Sequence, residues 1–166
     1  SYPEVRDFLT DILAEQVKSL YGTEVTIAGV ATGAIGIGAL VAQKLNLPFV
    51  YVRPQAKKHG RQNQIEGFIQ EGQAVVVIED LISTGMSSLN AVAAIKAEGI
   101  EVLGMIALFS YGFSVAKNNF EKAGVQLHTL SDYDHLIEFA RNNKTIEKSQ
   151  QETLVNWRKD PSNWSP

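Results

Sequence analysis

The order of patterns along the 166 residues predicts an α/β fold with a mainly parallel central sheet flanked by helices. Three observations carry this. Short β-branched runs alternate with stretches of helical periodicity. Val75-Val76-Val77-Ile78 is continuously apolar, as a strand covered on both faces has to be. The polar and glycine-rich turns follow the strand runs, and ligands in open parallel sheets sit beyond the carboxyl ends of the strands.

Val5, Phe8, Leu9, Ile12, Leu13, Val17 and Leu20 recur at three- and four-residue spacing, so Pro3 to Tyr21 reads as an amphipathic helix. Pro3 suits its first turn and Gly22 its end. Glu24 to Val30 reads as a strand, Ile35 to Leu45 as a helix and Pro48 to Arg53 as a strand. Residues 54–66 are polar and basic and read as a long loop. A short strand at Phe68 and Ile69 and a turn at Glu71-Gly72 then lead into a central strand over 74–79. Ser87 to Glu98 reads as a helix with Leu89, Val92, Ala93 and Ile95 inward, closed by Gly99. Ile100 to Phe109 is a further strand. Helices at about 114–123 and 132–141 flank a short strand from Gln126 to Thr129. A final helix over about 146–158 precedes an irregular tail, with Trp157 and Trp164 expected to pack the C-terminal segment.

This length suits one domain, residues 1–166, with a full hydrophobic core. The formal net charge of −3 gives no global attraction to nucleic acid or an anionic membrane. The chain has no cysteine, which excludes disulfides, thiolate metal sites and a cysteine nucleophile. No apolar run approaches the ~18 residues of a spanning helix, and no signal-peptide pattern opens the chain. A cytoplasmic location is expected. The chain enters a helical pattern directly after Ser1, without Met, and a segment preceding it is expected.

The central strand runs into Glu79 and Asp80, then Leu81-Ile82-Ser83-Thr84-Gly85-Met86-Ser87-Ser88. An isolated Glu-Asp at a strand end is ordinarily a solvated edge with a helix cap. Here Gly85 permits close backbone approach, and Ser83, Thr84, Ser87 and Ser88 offer hydroxyl donors at a helix N-terminus, which suits a phosphate. The two carboxylates suit ribose hydroxyls, a divalent metal, or both. Together they point to a phosphorylated sugar.

Five of the nine residues in Arg53-Pro54-Gln55-Ala56-Lys57-Lys58-His59-Gly60-Arg61 are potentially cationic. Alone this is a solvated basic loop; beside a phosphate-binding loop it reads as a lid for a second, more highly charged phosphate group. Gly33, Gly36 and Gly38 form a glycine-rich turn between strand and helix. Their GxxGxG spacing and the basic Arg53 at the end of the next strand disfavour a dinucleotide fold, and no Gly-Lys-Ser/Thr of a Walker A loop occurs. A turn whose N–H groups face a pyrophosphate explains the same glycines. His128 and His135 have no metal-ligand partners at useful spacing and read as structural or surface residues.

Val75 to Ser88 resembles the phosphoribosyl pyrophosphate (PRPP) motif of type I phosphoribosyltransferases. Tyr51-Val-Arg-Pro-Gln-Ala-Lys-Lys-His-Gly60, followed by Asn63-Gln-Ile-Glu-Gly67, resembles the catalytic loop of the orotate phosphoribosyltransferases in particular. The similarity spans essentially the whole chain. It implies transfer of the phosphoribosyl group from PRPP to orotate, giving orotidine 5′-monophosphate and pyrophosphate in pyrimidine synthesis. Mg²⁺ is the implied cofactor, held mainly through PRPP and not by dedicated protein ligands.

By position, the resemblance makes Lys57, His59 and Asp80 catalytic. It assigns PRPP binding to Arg53, Lys57 and His59 on the pyrophosphate, Glu79 and Asp80 on the ribose hydroxyls, and the run through Leu81, Ile82, Ser83, Thr84, Gly85, Met86 and Ser87 around the 5′-phosphate. Ser83 also touches orotate. The loop lysine and histidine reach into the neighbouring subunit's site, which implies a homodimer. Two departures stand out. Pro54 occupies a position where many members carry lysine, and the family's N-terminal hood segment, which helps enclose orotate, is absent from this sequence. A phosphoribosyltransferase for another base, or a PRPP-binding regulator, remains an alternative.

Overall fold

The structure is a computed structural model that describes residues 2–55, 63–161, 163 and 164. Its elements are α1 (Pro3–Tyr21), β1 (Val25–Val30), α2 (Gly33–Leu45), β2 (Phe49–Val52), β3 (Ile65–Glu66), β4 (Ala74–Ile82), α3 (Met86–Ala97), β5 (Val102–Ser110), α4 (Ser114–Ala123), β6 (Leu127–Asp132), α5 (Tyr133–Asn142) and α6 (Lys148–Lys159). The strands form one sheet in the order β3-β2-β1-β4-β5-β6. All neighbours run parallel except β3, which returns antiparallel on β2.

Residues of alternate parity along β4 feed two separate cores, as the two-residue period of a strand demands. Val76 and Ile78 join Ile27 and Ile106 against Leu13 and Val17 of α1 and Val41 of α2. Val75 and Val77 join Val30, Val52 and Met105 against Val92 and Ile95 of α3 and Phe120 of α4. Each fully buried Val, Leu or Ile contributes about 1.5–3 kcal/mol, so both faces hold the central strands firmly. β1 and β4 are neighbours, yet α2 leaves β1 toward one face and α3 leaves β4 toward the other. Their carboxyl ends therefore diverge and leave a crevice at a topological switch point.

Several local expectations need correcting. β4 does not stop at Glu79 but pairs with β5 as far as Ile82, so the acidic pair lies inside the strand. The short strand before it is Ile65–Glu66, not Phe68-Ile69: Ile65 turns into the core beside β2, while Phe68 is 80% exposed. In α3 the inward stripe is Ser88, Ala91, Val92 and Ile95, and Ala93 faces out. The three- and four-residue steps from Ser88 place Ala93 on the opposite side. β6 is longer than expected, because pairing with β5 carries it on to Asp132. In α1 the buried stripe is Thr10, Leu13, Ala14 and Val17, whereas Val5 and Phe8 of the same periodicity are exposed.

The C-terminal helices are anchored by aromatic packing. Trp157 of α6 meets Tyr111 at 5.6 Å and Tyr133 at 5.4 Å between ring centres, and Phe113 at 6.0 Å. Trp157 thus packs as the sequence predicts, while Trp164 is 42% exposed. No helix among the described residues is long and apolar enough to cross a membrane.

Candidate active site

At the crevice, the acidic pair divides its labour by strand geometry. Successive side chains of β4 point to opposite faces, so Glu79 is buried and Asp80 exposed. The Glu79 carboxylate accepts a hydrogen bond from Ser88 Oγ at 2.7 Å and from the Asp80 backbone N–H at 3.0 Å. Burial, reinforced by the neighbouring Asp80 carboxyl, pushes the Glu79 acid up to about 7. Asp80 lies over the first turn of α2: a Cβ on Gly33 would fall within 1.8 Å of Asp80 Oδ2. Only glycine at position 33 leaves room for that carboxylate.

The loop after β4 is shaped by backbone freedom at one point. Gly85 holds φ +77° as it opens α3, and a Cβ there would also strike the Phe120 ring. The first N–H groups of α3 have no carbonyl within the helix to bond, and the exposed Ser87 and Thr84 sit beside them. Of the four hydroxyls expected to face a phosphate, Ser88 is diverted: it is buried on Glu79. The Ile82 side chain is likewise fully buried in the core, and its carbonyl accepts a hydrogen bond from the Tyr111 N–H at 3.0 Å, so the structure does not turn Ile82 toward a phosphate. Leu81 and Met86 are exposed. Asn119 of α4 donates to the Thr84 carbonyl at 3.0 Å and braces the loop from outside.

Arg53 follows β2. Its Nη2 meets Glu66 Oε1 and the Tyr51 hydroxyl, each at 3.4 Å, and its guanidinium lies 5.8 Å from the centre of the Tyr51 ring. Reciprocal bonds of 2.9 Å, Arg53 N–H to the Gln64 carbonyl and Gln64 Nε2 to the Arg53 carbonyl, clamp the two ends of the intervening loop together. Lys57 and His59, with Gly60 and Arg61, lie outside the described residues. A hollow of about 600 Å³ joins Arg53, Gln55 and Tyr51 to Thr32, Ile35 and Ser87. The basic strand end and the hydroxyl loop, 34 residues apart in sequence (87 − 53), thus line one cavity.

Of the remaining glycines of this segment, Gly36 faces open space, whereas Gly38 has a packing role. Gly38 lets α2 rest on β1, where an added Cβ would come within 3.2 Å of the Gly29 Cα. The glycine at 38 is thus explained by helix-on-strand contact. His128 packs edge-on to Tyr21 at 6.4 Å between ring centres, and His135 pairs with Asp132 at the start of α5. Both are structural, as the sequence predicts.

Sequence reasoning missed Asn119, and it missed what Tyr51 and Ser88 do. Tyr51 stands in the segment that opens the basic loop, two residues before Arg53, close enough to signal its contact with the guanidinium. In sequence Ser88 reads as a phosphate donor and Asn119 gives no signal, because only the docking of α3 and α4 turns them toward the acid and the loop.

A doubly wound sheet, a hydroxyl loop opening a helix and an acid over the neighbouring helix start define a class. The family model described as Phosphoribosyl transferase domain matches residues 2–137, and the chain belongs to that family. Orotate phosphoribosyltransferase of Cytophaga hutchinsonii is 51% identical over 99% of this chain and 78% of its own length. The enzyme of the same name from Listeria monocytogenes serotype 4b is 50% identical over 98% and 78%. The crystal structure of orotate phosphoribosyltransferase from Aeropyrum pernix superimposes with a TM-score of 0.71 at 26% identity, covering 82% of this chain and 76% of that one. Within the phosphoribosyltransferases, the chain belongs to the orotate phosphoribosyltransferase family.

Proposed function

We propose that the protein transfers the 5-phosphoribosyl group of PRPP to orotate, yielding orotidine 5′-monophosphate and pyrophosphate, and that the crevice between β1 and β4 is where this occurs. The observation that carries the reading is the hollow that Arg53, Ser87 and Thr32 line together. It offers a cation for the pyrophosphate end of a ligand and a helix-opening loop for its phosphate end. Asp80, exposed and adjacent over Gly33, stands where ribose hydroxyls would bridge the two.

Departure of pyrophosphate builds positive charge on the ribose carbon and negative charge on the leaving oxygen. Asp80 stabilises the first, and Arg53, with Lys57 and His59 of the loop, stabilises the second. Glu79, held by Ser88, retains a proton near neutrality and fixes the backbone at Asp80. No covalent nucleophile is required. Closure of the loop 54–63 over the bound ligand keeps water from the reactive carbon.

The donor set fits Mg²⁺ brought in by the diphosphate. Among the described residues no group of three or more His, Cys, Asp or Glu side chains lies together, and Asp80 is the open carboxylate of the site. Such a site suits an ion that keeps its waters and its phosphate ligands. Bound there, Mg²⁺ would offset the charge on the departing pyrophosphate. We further infer a homodimer in which the loop bearing Lys57 and His59 completes the partner's site.

The test is the loss of orotate absorbance on adding PRPP and Mg²⁺. Orotate consumption with stoichiometric pyrophosphate release supports the reading. PRPP consumption with another base but not with orotate overturns it.

A further inference from the structure

β3 stands apart from the rest of the sheet, being two residues long and antiparallel where the other strand pairs are parallel. It adds one side chain to the cores, Ile65, which packs with Val50 and Val52. The residues on either side of Ile65 both meet Arg53. Gln64 holds the Arg53 main chain through the two 2.9 Å bonds, and Glu66 Oε1 lies 3.4 Å from Arg53 Nη2. Across the strand pair, Tyr51 is the register partner of Glu66, and its hydroxyl accepts from the same Nη2 at 3.4 Å. Asn63 fixes the entry to the segment, its Oδ1 accepting from the Ile65 N–H at 3.2 Å.

We propose that β3 serves to position Arg53, and that Glu66 and Tyr51 are positioning residues that aim its guanidinium at the diphosphate of PRPP. The inference rests on the PRPP reading of the site and deepens it. Among the described residues, Arg53 and Tyr51 line the hollow shared with Ser87, and Glu66 does not. The carboxylate thus holds the guanidinium from outside the hollow. Both polar contacts fall on Nη2, while the Tyr51 ring lies 5.8 Å from the guanidinium carbon. Nε and Nη1 keep their N–H groups for phosphate oxygens, which a guanidinium meets with parallel donors. A long cationic side chain has much rotamer freedom to lose, and one already held loses little more when a ligand binds.

Electrostatics separates this role from direct binding. A carboxylate near a diphosphate repels it, so Glu66 favours such a ligand only through the cation that it holds. The Arg53 and Glu66 side chains are 34% and 29% exposed, so solvent screens their attraction only in part.

The experiment measures binding of PRPP and of orotidine 5′-monophosphate by calorimetry, with Mg²⁺, in the full-length protein. The variants are Glu66→Gln, Tyr51→Phe, Arg53→Met and the Glu66→Gln/Arg53→Met double variant, with Arg53→Gln as the background if Arg53→Met does not fold. Orotidine 5′-monophosphate carries the ribose and 5′-phosphate but no diphosphate, so it reports on the rest of the site. Glu66→Gln keeps the side chain's shape and is expected to weaken PRPP roughly 5-fold, the upper end for a partly exposed ion pair, with the nucleotide unchanged. Tyr51→Phe keeps the ring and should weaken PRPP about 2-fold, again with the nucleotide unchanged. Once Arg53 is gone, Glu66→Gln should weaken PRPP no further and should tighten it, because only repulsion is then removed. PRPP binding that is unchanged or tighter in Glu66→Gln overturns the proposal, and an unchanged Tyr51→Phe overturns the part given to Tyr51. Equal losses for PRPP and the nucleotide, or a Glu66→Gln loss that persists without Arg53, mark a merely structural role and also overturn it. A wild type that binds no PRPP overturns the reading of the site, and this inference with it. A wild type that binds PRPP beside unaffected variants overturns this inference alone.

Discussion

Replacing Glu79 by Gln removes a titration from the buried end of β4 while keeping the side chain's shape. In the native protein burial raises this acid from an ordinary 4.5 to about 7. Each pH unit of displacement corresponds to about 1.36 kcal/mol, so the full effect is about 3 kcal/mol. Its sign follows from proton counts. Between pH 4.5 and 7 the folded protein keeps a proton that the unfolded chain has released, so stability contributed by this group is complete below 4.5 and is lost as pH rises through 7. Above that, the fold carries a buried carboxylate at full cost.

Glutamine fits the same hydrogen bonds. Its carbonyl accepts from the Asp80 N–H, and its amide donates to Ser88, whose hydroxyl acts in either direction. Glu79→Gln is therefore expected to stabilise the unliganded protein by up to about 3 kcal/mol at pH 8, and by less than about 1 kcal/mol at pH 5. At roughly 2–4 °C per kcal/mol for a chain of this size, Tm should rise by about 6–12 °C at pH 8. Thermal unfolding followed by circular dichroism from pH 5 to 8 checks this. A Tm difference that stays flat across that range, or that falls as pH rises, refutes the reasoning.

Gly33→Ala should leave stability within about 1 kcal/mol, since alanine suits a helix start, but its Cβ must expel the Asp80 carboxylate. We expect kcat/KM for PRPP to fall by roughly 10²-fold, the scale of a 1 Å misplacement, and steady-state kinetics beside a melting curve separates the two effects. Lys57→Ala should lower kcat by roughly 10²–10³-fold, as for one lost transition-state donor. Mixing Lys57→Ala subunits with Asp80→Asn subunits should then restore activity by forming hybrid dimers with one intact site. No recovery in the mixture, with hybrid formation confirmed by native mass spectrometry, counts against a loop acting across the subunit boundary.

Much of this protein was legible from local pattern. The continuous apolar run of β4 announced a strand covered on both faces, and the periodicity of Pro3–Tyr21 gave α1 to the residue. The run from Glu79 to Ser87, with the basic Arg53 loop, pointed to a ligand chemistry because carboxylates, then hydroxyls around a glycine, in that order suit a phosphorylated sugar. These are short-range features, in which neighbouring residues constrain one another.

What local pattern does not encode is which way a side chain faces once helices dock. Ser83, Thr84, Ser87 and Ser88 look alike as hydroxyls, yet packing of α3 turns Ser88 onto Glu79 and leaves Ser87 exposed. Gly33 reads as one glycine of a turn until β4 is laid beside β1, when it becomes the space that Asp80 occupies. Arg158 reads as a charge on a terminal helix until Trp157 binds that helix to Tyr111 and Phe113. The sequence alone determined the class of fold and the chemistry of the ligand, because both rest on contiguous residues. The tertiary structure alone decided which acid is buried, which glycine makes room and which aromatic rings anchor the last helix, because those depend on elements brought together by burial of the two cores.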